Sequence, residues 1–282
     1  MYRAFFSIPA SVTDVEGRPA NALHGYLDMT ARLVSAHRPD DVVHVYDDDW
    51  KPAPRVRAYA GYKAHRLPDP EGLPEQFGVL RQVLDAFGLP QAEAPGWEAE
   101  DAIGGLSARA GRGDHIDVVT GDRDLIQLVR DPQVRVLFTV RGVTEVRVLD
   151  EAGVLEKYGV PASRYADFAT LRGDPSDGIP GAPGVGAKTA AELLQAFGTL
   201  EEVLVAAGQP GTVIAGQMRP RLAAVLREHA DELRMFKHLA TLQRVPVRRP
   251  RDAPTDYAAG ARAARKLGMK RLAERLEALA VT

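Results

Sequence analysis

Two short runs of apolar, mostly β-branched residues, each followed closely by an aspartate, constrain the fold more than any other feature. Residues 42–46 lead into Asp47, and residues 116–120 lead through a glycine into Asp122. Both runs predict buried strands. Apolar residues at three- and four-residue spacing predict helices at 22–36, 77–87 and 99–110. Because the strands alternate with helices, this part of the chain predicts a parallel sheet covered by helices on both faces.

The pattern changes along the second half of the chain. Residues 134–138 and 143–148 predict a hairpin or two edge strands. From about residue 160 the pattern is helical and interrupted by glycines, and residues 219–251 are rich in arginine. We therefore predict an α/β domain over 1–160 and a helical domain over 161–282.

Charge is distributed unevenly along the chain. The net charge of −2 and pI near 6.4 argue at first against a nucleic-acid partner. Residues 51–66, however, carry five basic side chains and no acid, within a proline-rich loop predicted over 50–74. Basic strips beside acidic clusters are typical of a polyanion held against a metal site. The chain has no cysteine, secretion signal or apolar run of membrane-spanning length, which predicts a cytoplasmic protein with no membrane partner.

Eight acidic residues lie at the ends of predicted elements. Taken singly, each is more typical of a helix cap or a turn than of a metal ligand. Converging carboxylates repel, at about 4 kcal/mol per pair for 4 Å and an effective dielectric near 20, so together they need cations. Oxygen ligands without His or Cys indicate Mg²⁺ or Mn²⁺, and two such ions are typical of phosphodiester hydrolysis. The eight acids are Asp47, Glu98, Glu100, Asp101, Asp122, Asp124, Asp174 and Asp177.

The glycine-rich stretch "GDPSDGIPGAPGVGAKTAAELL", residues 173–194, is close to a P-loop. Gly181 and Gly186 have the P-loop spacing, but Ala187 stands between the second glycine and Lys188-Thr189. No strand is predicted before it. Both observations disfavour an ATPase, and we expect no nucleotide cofactor.

Four ordered motifs together resemble the bacterial 5′-3′ exonuclease and flap endonuclease family, in a standalone form similar to the N-terminal nuclease domain of DNA polymerase I. The motifs are "AGYKAHR" (60–66), "GWEAEDAI" (96–103), "TGDRDLIQLV" (120–129) and "LRGDPSDGIPGAPGVGAKTAAELL" (171–194). The resemblance implies a PIN-like sheet followed by a helical DNA-binding domain with a helix-hairpin-helix (helix-three-turn-helix) motif. It also implies a helical arch at about 50–75 and two-ion hydrolysis of DNA in replication and repair.

The resemblance also implies residue roles. Asp47, Glu98, Glu100 and Asp101 would serve the first ion, and the other four acids the second. Lys63 and Arg66 would steer the scissile phosphate as catalytic residues of the arch. The residues implied in DNA binding are Arg55, Arg57, Tyr62, Gly184, Gly186, Lys188 and Thr189.

In the hairpin, Gly184 and Gly186 would let the backbone approach a duplex phosphate, and Lys188 would add charge. The resemblance further implies K⁺ between hairpin and phosphate. The expected partner is 5′-flap, branched or nicked DNA, bound by a monomer.

The chain departs from the family pattern in three places. Glu100 stands where Asp is usual, and Gly178 where Asn is frequent. The family begins with an apolar strand ending in Asp-Gly, whereas this chain opens at "MYRAFF". We therefore expect the first strand and one metal-binding aspartate to be missing, with Met1 internal to a longer reading frame. The alternative function is a catalytically weak protein that binds DNA junctions.

Overall fold

The computed structural model describes residues 1–141, 143, 145–209, 211, 218–251 and 254–280. Its strands are β1 (His44–Val45), β2 (Gln91–Ala92), β3 (Ile116–Thr120), β4 (Val134–Arg141) and β5 (Glu145–Leu149). Its α-helices are α1 (Tyr2–Ser7), α2 (Asn21–His37), α3 (Ala53–Ala58), α4 (Leu73–Ala86), α5 (Ala99–Ser107), α6 (Glu151–Tyr158), α7 (Tyr165–Arg172), α8 (Ala187–Phe197), α9 (Leu200–Gly208), α10 (Pro220–Glu228), α11 (Ala230–Ala240), α12 (Tyr257–Lys266) and α13 (Lys270–Ala280). Short 3₁₀ helices span Asp124–Leu128 and Ala162–Arg164.

The strands form two sheets within the described residues. In the first, β1 pairs in parallel with β2, with His44 opposite Gln91. In the second, β3 pairs in parallel with β4 from Ile116 opposite Val134, and β4 pairs antiparallel with β5. The α/β class with parallel pairing is confirmed, and so is the hairpin of β4 and β5. Positions 142 and 144 of the hairpin lie outside the described residues.

Burial in the predicted strands is only partial. The first run forms a ladder of two residues, because only His44 and Val45 find partners on β2. In β3, Val118 is buried, whereas Asp117 and Val119 are exposed. The prediction of fully buried strands was therefore wrong for β3, which alternates between a covered and an open face.

The prolines after residue 50 start helices instead of interrupting them. Pro52 is the N-cap of α3, and Pro54 lies in its first turn. Likewise α4 begins at Leu73, one turn before its predicted start, with Pro74 in its first turn. Proline suits these positions because its missing N–H would be unpaired there in any case. The predicted long loop over 50–74 was therefore partly wrong.

The last two helices fold back onto the first half of the chain. One apolar cluster joins side chains of α2 and α4 to side chains of α12 and α13, including Leu27, Leu84, Leu272 and Leu276. An ion pair between Arg275 and Asp28 links α13 to α2. The predicted helical domain over 161–282 is thus helical in its described residues, but its end packs against α2 and α4.

The first helix lies across α2 and reaches the end of β3. Gly25 of α2 allows a close approach, because a Cβ there would lie 2.8 Å from the Ala4 Cβ. Arg3 donates to the Thr139 carbonyl oxygen at 2.6 Å and packs against Gly121. Among the helices that the structure describes, none is long and apolar enough to cross a membrane.

Candidate metal centre

Three carboxylates from two neighbouring elements converge at the end of β3. Glu100 lies in the first turn of α5, Asp122 follows β3, and Asp124 begins the 3₁₀ helix. Each offers a ligand oxygen, and these oxygens lie within 4.8 Å of one another. This spacing allows one cation to contact all three side chains.

Local hydrogen bonds hold Asp122 of this cluster and Asp47 near the start of α5. Asp47 Oδ1 accepts from the Ala99 N–H at 2.7 Å, which caps the start of α5. Asp122 Oδ1 accepts from the Asp124 N–H at 3.0 Å in a turn of the kind that Asp favours. Asp47 thus has the capping role, and Asp122 has the turn role, that the sequence allowed for single acids.

A tight loop between α7 and α8 presents Asp174 and Asp177. Asp174 Oδ1 accepts from the Ser176 N–H at 2.9 Å. Gly173 has φ of +85°, and a Cβ there would lie 2.6 Å from the Pro180 carbonyl oxygen. Only glycine meets both conditions without strain, so this residue closes the loop that orients the two aspartates.

Arg55 is a buried cation among the acids of α5. Its side chain, 3% exposed, donates to Glu98 and, at 2.8 Å, to Asp101 Oδ1. Its Nη1 also lies 3.7 Å from Glu100 Oε1. A buried charge of this kind is tolerated because paired carboxylates surround it.

Lys63 and Arg66 connect α5 to the loop of Asp177. The buried Lys63 Nζ donates to Glu98 and lies 3.5 Å from Asp177 Oδ1. Arg66 Nη2, which is more exposed, donates to the same Asp177 oxygen at 3.2 Å. The Tyr62 hydroxyl donates to Glu98 Oε2 at 2.8 Å. The motif over 60–66 therefore holds acids from both sides of the site.

Burial and mutual repulsion shift the titration of the central acids. Burial, followed by repulsion from Glu98, raises the pKa of Glu100 well above its ordinary value. Burial and repulsion from Asp122 do the same to the pKa of Asp124. Burial alone would lower the pKa of Lys63, but the surrounding carboxylates outweigh it and raise that pKa. The centre thus carries an excess of negative charge that a further cation would relieve.

Two residues predicted to bind DNA are enclosed within the protein. Arg55 is paired as above, and Tyr62, with no exposed surface, packs in the main apolar cluster. Their burial corrects the expectation of direct DNA contact, because each has its polar group turned to Glu98. Arg57, on the same helix as Arg55, is exposed.

Comparison with known proteins identifies the family. Residues 1–159 match the N-terminal resolvase-like domain of 5′-3′ exonucleases, and residues 160–255 match their C-terminal SAM-fold domain. The chain belongs to the 5′-3′ exonuclease family.

Relatives in two actinobacteria carry that name. A 5′-3′ exonuclease of Streptomyces coelicolor is 47% identical over 233 residues, which cover 78% of this chain and 77% of the relative. One from Mycobacterium tuberculosis is 44% identical over 241 residues, covering 79% and 76%. A bacteriophage T5 flap endonuclease, solved with DNA and metal ions, is similar in fold, with a TM-score of 0.62 and 18% identity over 91% of this chain and 90% of its own.

The hairpin of this exonuclease-family chain lies open before α8. Gly186 is the N-cap of α8, and Gly184 has φ of +76° with no atom within 4 Å of an added Cβ. Lys188 is 91% exposed, and Thr189 lies beside it in the first turn. The element before this loop is the helix α7, so the strand of a P-loop is not formed there among the described residues.

Sequence reasoning missed several partners of the acids in this nuclease. Arg172 Nη2 donates to Asp174 Oδ2 at 3.2 Å, and Arg123 lies 3.9 Å from the same oxygen. Arg172 lies two residues from Asp174 in sequence, which was an available signal, whereas Arg123 belongs to a different motif and nothing in the sequence indicated its contact. The Gln243 N–H donates to Asp101 Oδ1 at 2.7 Å, and no sequence pattern indicated that contact.

Proposed function

We propose that this protein is a metal-dependent 5′-3′ exonuclease and structure-specific flap endonuclease that hydrolyses DNA phosphodiesters in replication and repair. The observation that carries the proposal is the convergence of Glu100, Asp122 and Asp124. An anionic set of oxygen ligands suits Mg²⁺ or Mn²⁺, and the raised pKa values of Glu100 and Asp124 agree with a missing counter-charge. The name of the relatives and the metal-bound phage structure support the same function.

The grouping of the acids modifies the two-ion assignment implied by the resemblance. The resemblance assigned Glu100 with Asp47, Glu98 and Asp101, yet its carboxylate also lies within 4.8 Å of ligand oxygens of Asp122 and Asp124. We propose that these three hold one ion and that Asp174 and Asp177 with the remaining acids complete the site for a second. Divalent ions bound there would activate water and stabilise charge on the leaving oxygen.

The buried cations are proposed to keep the acids in place. Arg55 donates to Glu98 and Asp101, and the Tyr62 hydroxyl donates to the same Glu98 oxygen, Oε2, as Arg55. Preorganised carboxylates bind a cation without first losing side-chain freedom. We therefore propose Arg55 and Tyr62 as positioning residues of this site.

Two basic residues at the edge of the site are proposed to act on the substrate. Arg66 is partly exposed while bonded to Asp177, so its guanidinium can contact both the site and an entering phosphate. Lys63 lies deeper, beside Glu98 and Asp177, where its ammonium can neutralise the phosphate that is cut. The exposed Arg57 is proposed to attract DNA by its charge, less directly than Lys63 and Arg66.

The open hairpin is proposed to bind the backbone of duplex DNA without reading bases. Free N–H groups at the start of α8 suit an anion, and the exposed Lys188 adds charge. Gly184 and Gly186 leave room for a phosphate, with Thr189 as a further donor and K⁺ as the proposed bridging cation. The proposed substrates are 5′ flaps and branched or nicked duplexes, bound by a monomer.

A cleavage assay on 5′-flap DNA tests the function. We expect cleavage with Mg²⁺ or Mn²⁺ and none with EDTA. Asp122→Asn should slow cleavage by more than about 100-fold, because it removes one ligand charge, while DNA binding in EDTA persists. The matched control is Asp117→Asn on β3, whose carboxylate pairs with Arg135 outside the site and should leave the rate unchanged.

Two results would contradict the proposal. Full activity of Asp122→Asn would refute the ligand assignment. A metal-independent gel shift without any product would instead support the alternative of a weak or inactive protein that binds DNA junctions.

A further inference from the structure

An extended segment after α11 crosses the helix that carries the acids. We call residues 241–251 the strap. The Leu242 N–H donates to Gln127 Oε1 at 3.0 Å, and the Gln243 N–H donates to Asp101 Oδ1 at 2.7 Å. Further along, the Val247 carbonyl oxygen accepts from Arg109 at 2.7 Å. These bonds fix the strap to the 3₁₀ helix, to Asp101 on α5 and to Arg109 beyond the end of α5.

Alternate side chains of the strap are buried against the helix beneath it. Val245 and Val247 are 7% and 4% exposed and pack with Ala92 and Ala102. The approach is close, since a Cβ on Gly105 of α5 would lie 2.8 Å from the Val245 carbonyl oxygen. Prolines at 246 and 250 further restrict the backbone of the strap.

Exposed arginines flank the two buried valines of the strap. Arg244, Arg248 and Arg251 are exposed, and the strap contains no acidic residue. Within the part of the chain that the structure describes, no carboxylate pairs with any of the three. At about 3.3 Å per residue, the chain from Arg244 to Arg251 can reach at most about 23 Å, which is the rise of about seven base pairs.

We propose that the strap is a second DNA-binding surface, which binds the phosphate backbone of the duplex attached to the strand being cut. The inference rests on the proposed nuclease function. Guanidinium groups suit phosphate oxygens, and a rigid backbone lowers the entropy lost on binding. Duplex DNA is favoured over an acidic peptide. Because the strap is bonded to Asp101, the duplex attached to a strand bound at the metal centre would pass along the strap. The contacts carry no base specificity.

The test removes three charges from the strap and three elsewhere. One variant is Arg244→Gln, Arg248→Gln and Arg251→Gln. The matched control is Arg262→Gln, Lys266→Gln and Arg271→Gln, exposed residues of α12 and α13 with the same change in charge. Dissociation constants for 5′-flap DNA are measured in EDTA over a salt series, and thermal melts verify that all proteins are folded.

In the strap variant we expect the slope of log affinity against log salt concentration to become shallower by about three. This corresponds to about one for each phosphate contact that is lost. Its affinity should fall at least tenfold, KM should rise and kcat should stay near that of the wild type. Replacing the same arginines by lysine should restore much of the slope. The control variant should keep the wild-type slope.

Three outcomes would overturn the proposal. In the first, the wild type binds and cuts DNA but the slope of the strap variant is unchanged, which would refute the strap and leave the nuclease function intact. In the second, the control loses as much slope as the strap variant, which would indicate net charge alone. In the third, the wild type neither binds nor cuts DNA, which would refute both proposals.

Discussion

Two acids at the start of α5 share Arg55 but otherwise have different partners. Glu98 is bonded to Arg55, Lys63 and Tyr62, whereas Glu100 has Arg55 at 3.7 Å and lies close to Asp122 and Asp124. The backbone explains the difference, because Glu98 is the N-cap with extended backbone and Glu100 lies in the first helical turn, so their side chains leave α5 in different directions. Glu98 therefore belongs to the internal ion-pair network, and Glu100 to the cluster suited to a cation.

Replacing Glu100 with Gln should stabilise the protein in EDTA while weakening its response to metal. The substitution removes a carboxylate whose pKa is raised by burial and repulsion. We expect a rise in Tm of roughly 2–4 °C in EDTA and loss of the further rise on adding Mn²⁺. Differential scanning calorimetry measures both. The control Glu274→Gln, on the exposed face of α13, should change neither.

His44 should make the protein sensitive to mild acid. Burial lowers its pKa from 6.5 to about 4, and its Nδ1 lies 2.5 Å from the Tyr26 hydroxyl oxygen. The folded state resists protonation of His44. Its contribution to the free energy of unfolding is therefore complete above pH 6.5 and is lost as the pH falls towards 4. The loss amounts to roughly 3 kcal/mol.

Urea unfolding at several pH values tests this effect with His44→Gln. The free energy difference between wild type and variant should shrink by that amount between pH 6.5 and 4. A difference independent of pH would show that His44 is not the titrating group. His115→Gln, at an exposed position, should follow the wild type.

At the scale of elements, the loop between α7 and α8 combines two kinds of glycine. Gly173 and Gly184 both have positive φ, at +85° and +76°. A Cβ at Gly173 meets the Pro180 carbonyl group, whereas a Cβ at Gly184 meets nothing within 4 Å. The first glycine is required for packing, and the second only for backbone conformation.

Alanine at these two positions should separate steric clash from backbone strain. Gly184→Ala should cost about 1 kcal/mol, the strain of a left-handed alanine. Gly173→Ala should cost more, about 3 kcal/mol, and should also weaken metal binding because Asp174 must move. Urea unfolding and metal titration measure the two effects. Equal costs at both positions would contradict the packing role of Gly173.

At the scale of the whole molecule, the two halves share cores. The cluster of α2, α4, α12 and α13 joins residues far apart in sequence, and the strap joins α11 to α5. Such packing makes the stability of α2 depend on the last helix. It also places the strap arginines at a fixed position relative to the acids.

Leu272→Ala on α13 should therefore destabilise the first half of the chain. Leu272 is 1% exposed, and its truncation should cost about 2–4 kcal/mol. Hydrogen exchange should reveal reduced protection of α2 and α4, not only of α13. The neighbouring Arg271→Ala, at an exposed position, is the control. Loss of protection confined to α13 would argue against a shared core.

Local pattern by itself determined the α/β class, the β4–β5 hairpin, the start of α5 and the acids that could bind a cation. Alternation and helical spacing report which faces are apolar, and turn residues report where elements end. Asp122 and Asp124 follow β3, whereas Asp47 follows β1 in the other sheet, so the single parallel sheet expected from the pattern is divided in two. The family motifs added the roles proposed for Lys63, Arg66 and the hairpin glycines.

Only the tertiary structure decided which charges meet. Arg55 and Tyr62 belong to a stretch that resembled an exposed basic loop, yet they are buried against Glu98. The strap contacts Asp101 from 142 residues away in sequence, and α13 covers α2 from the other end of the chain. Contacts of this kind depend on how separate elements pack. A linear pattern records the apolar face of each element but not the partner that covers it.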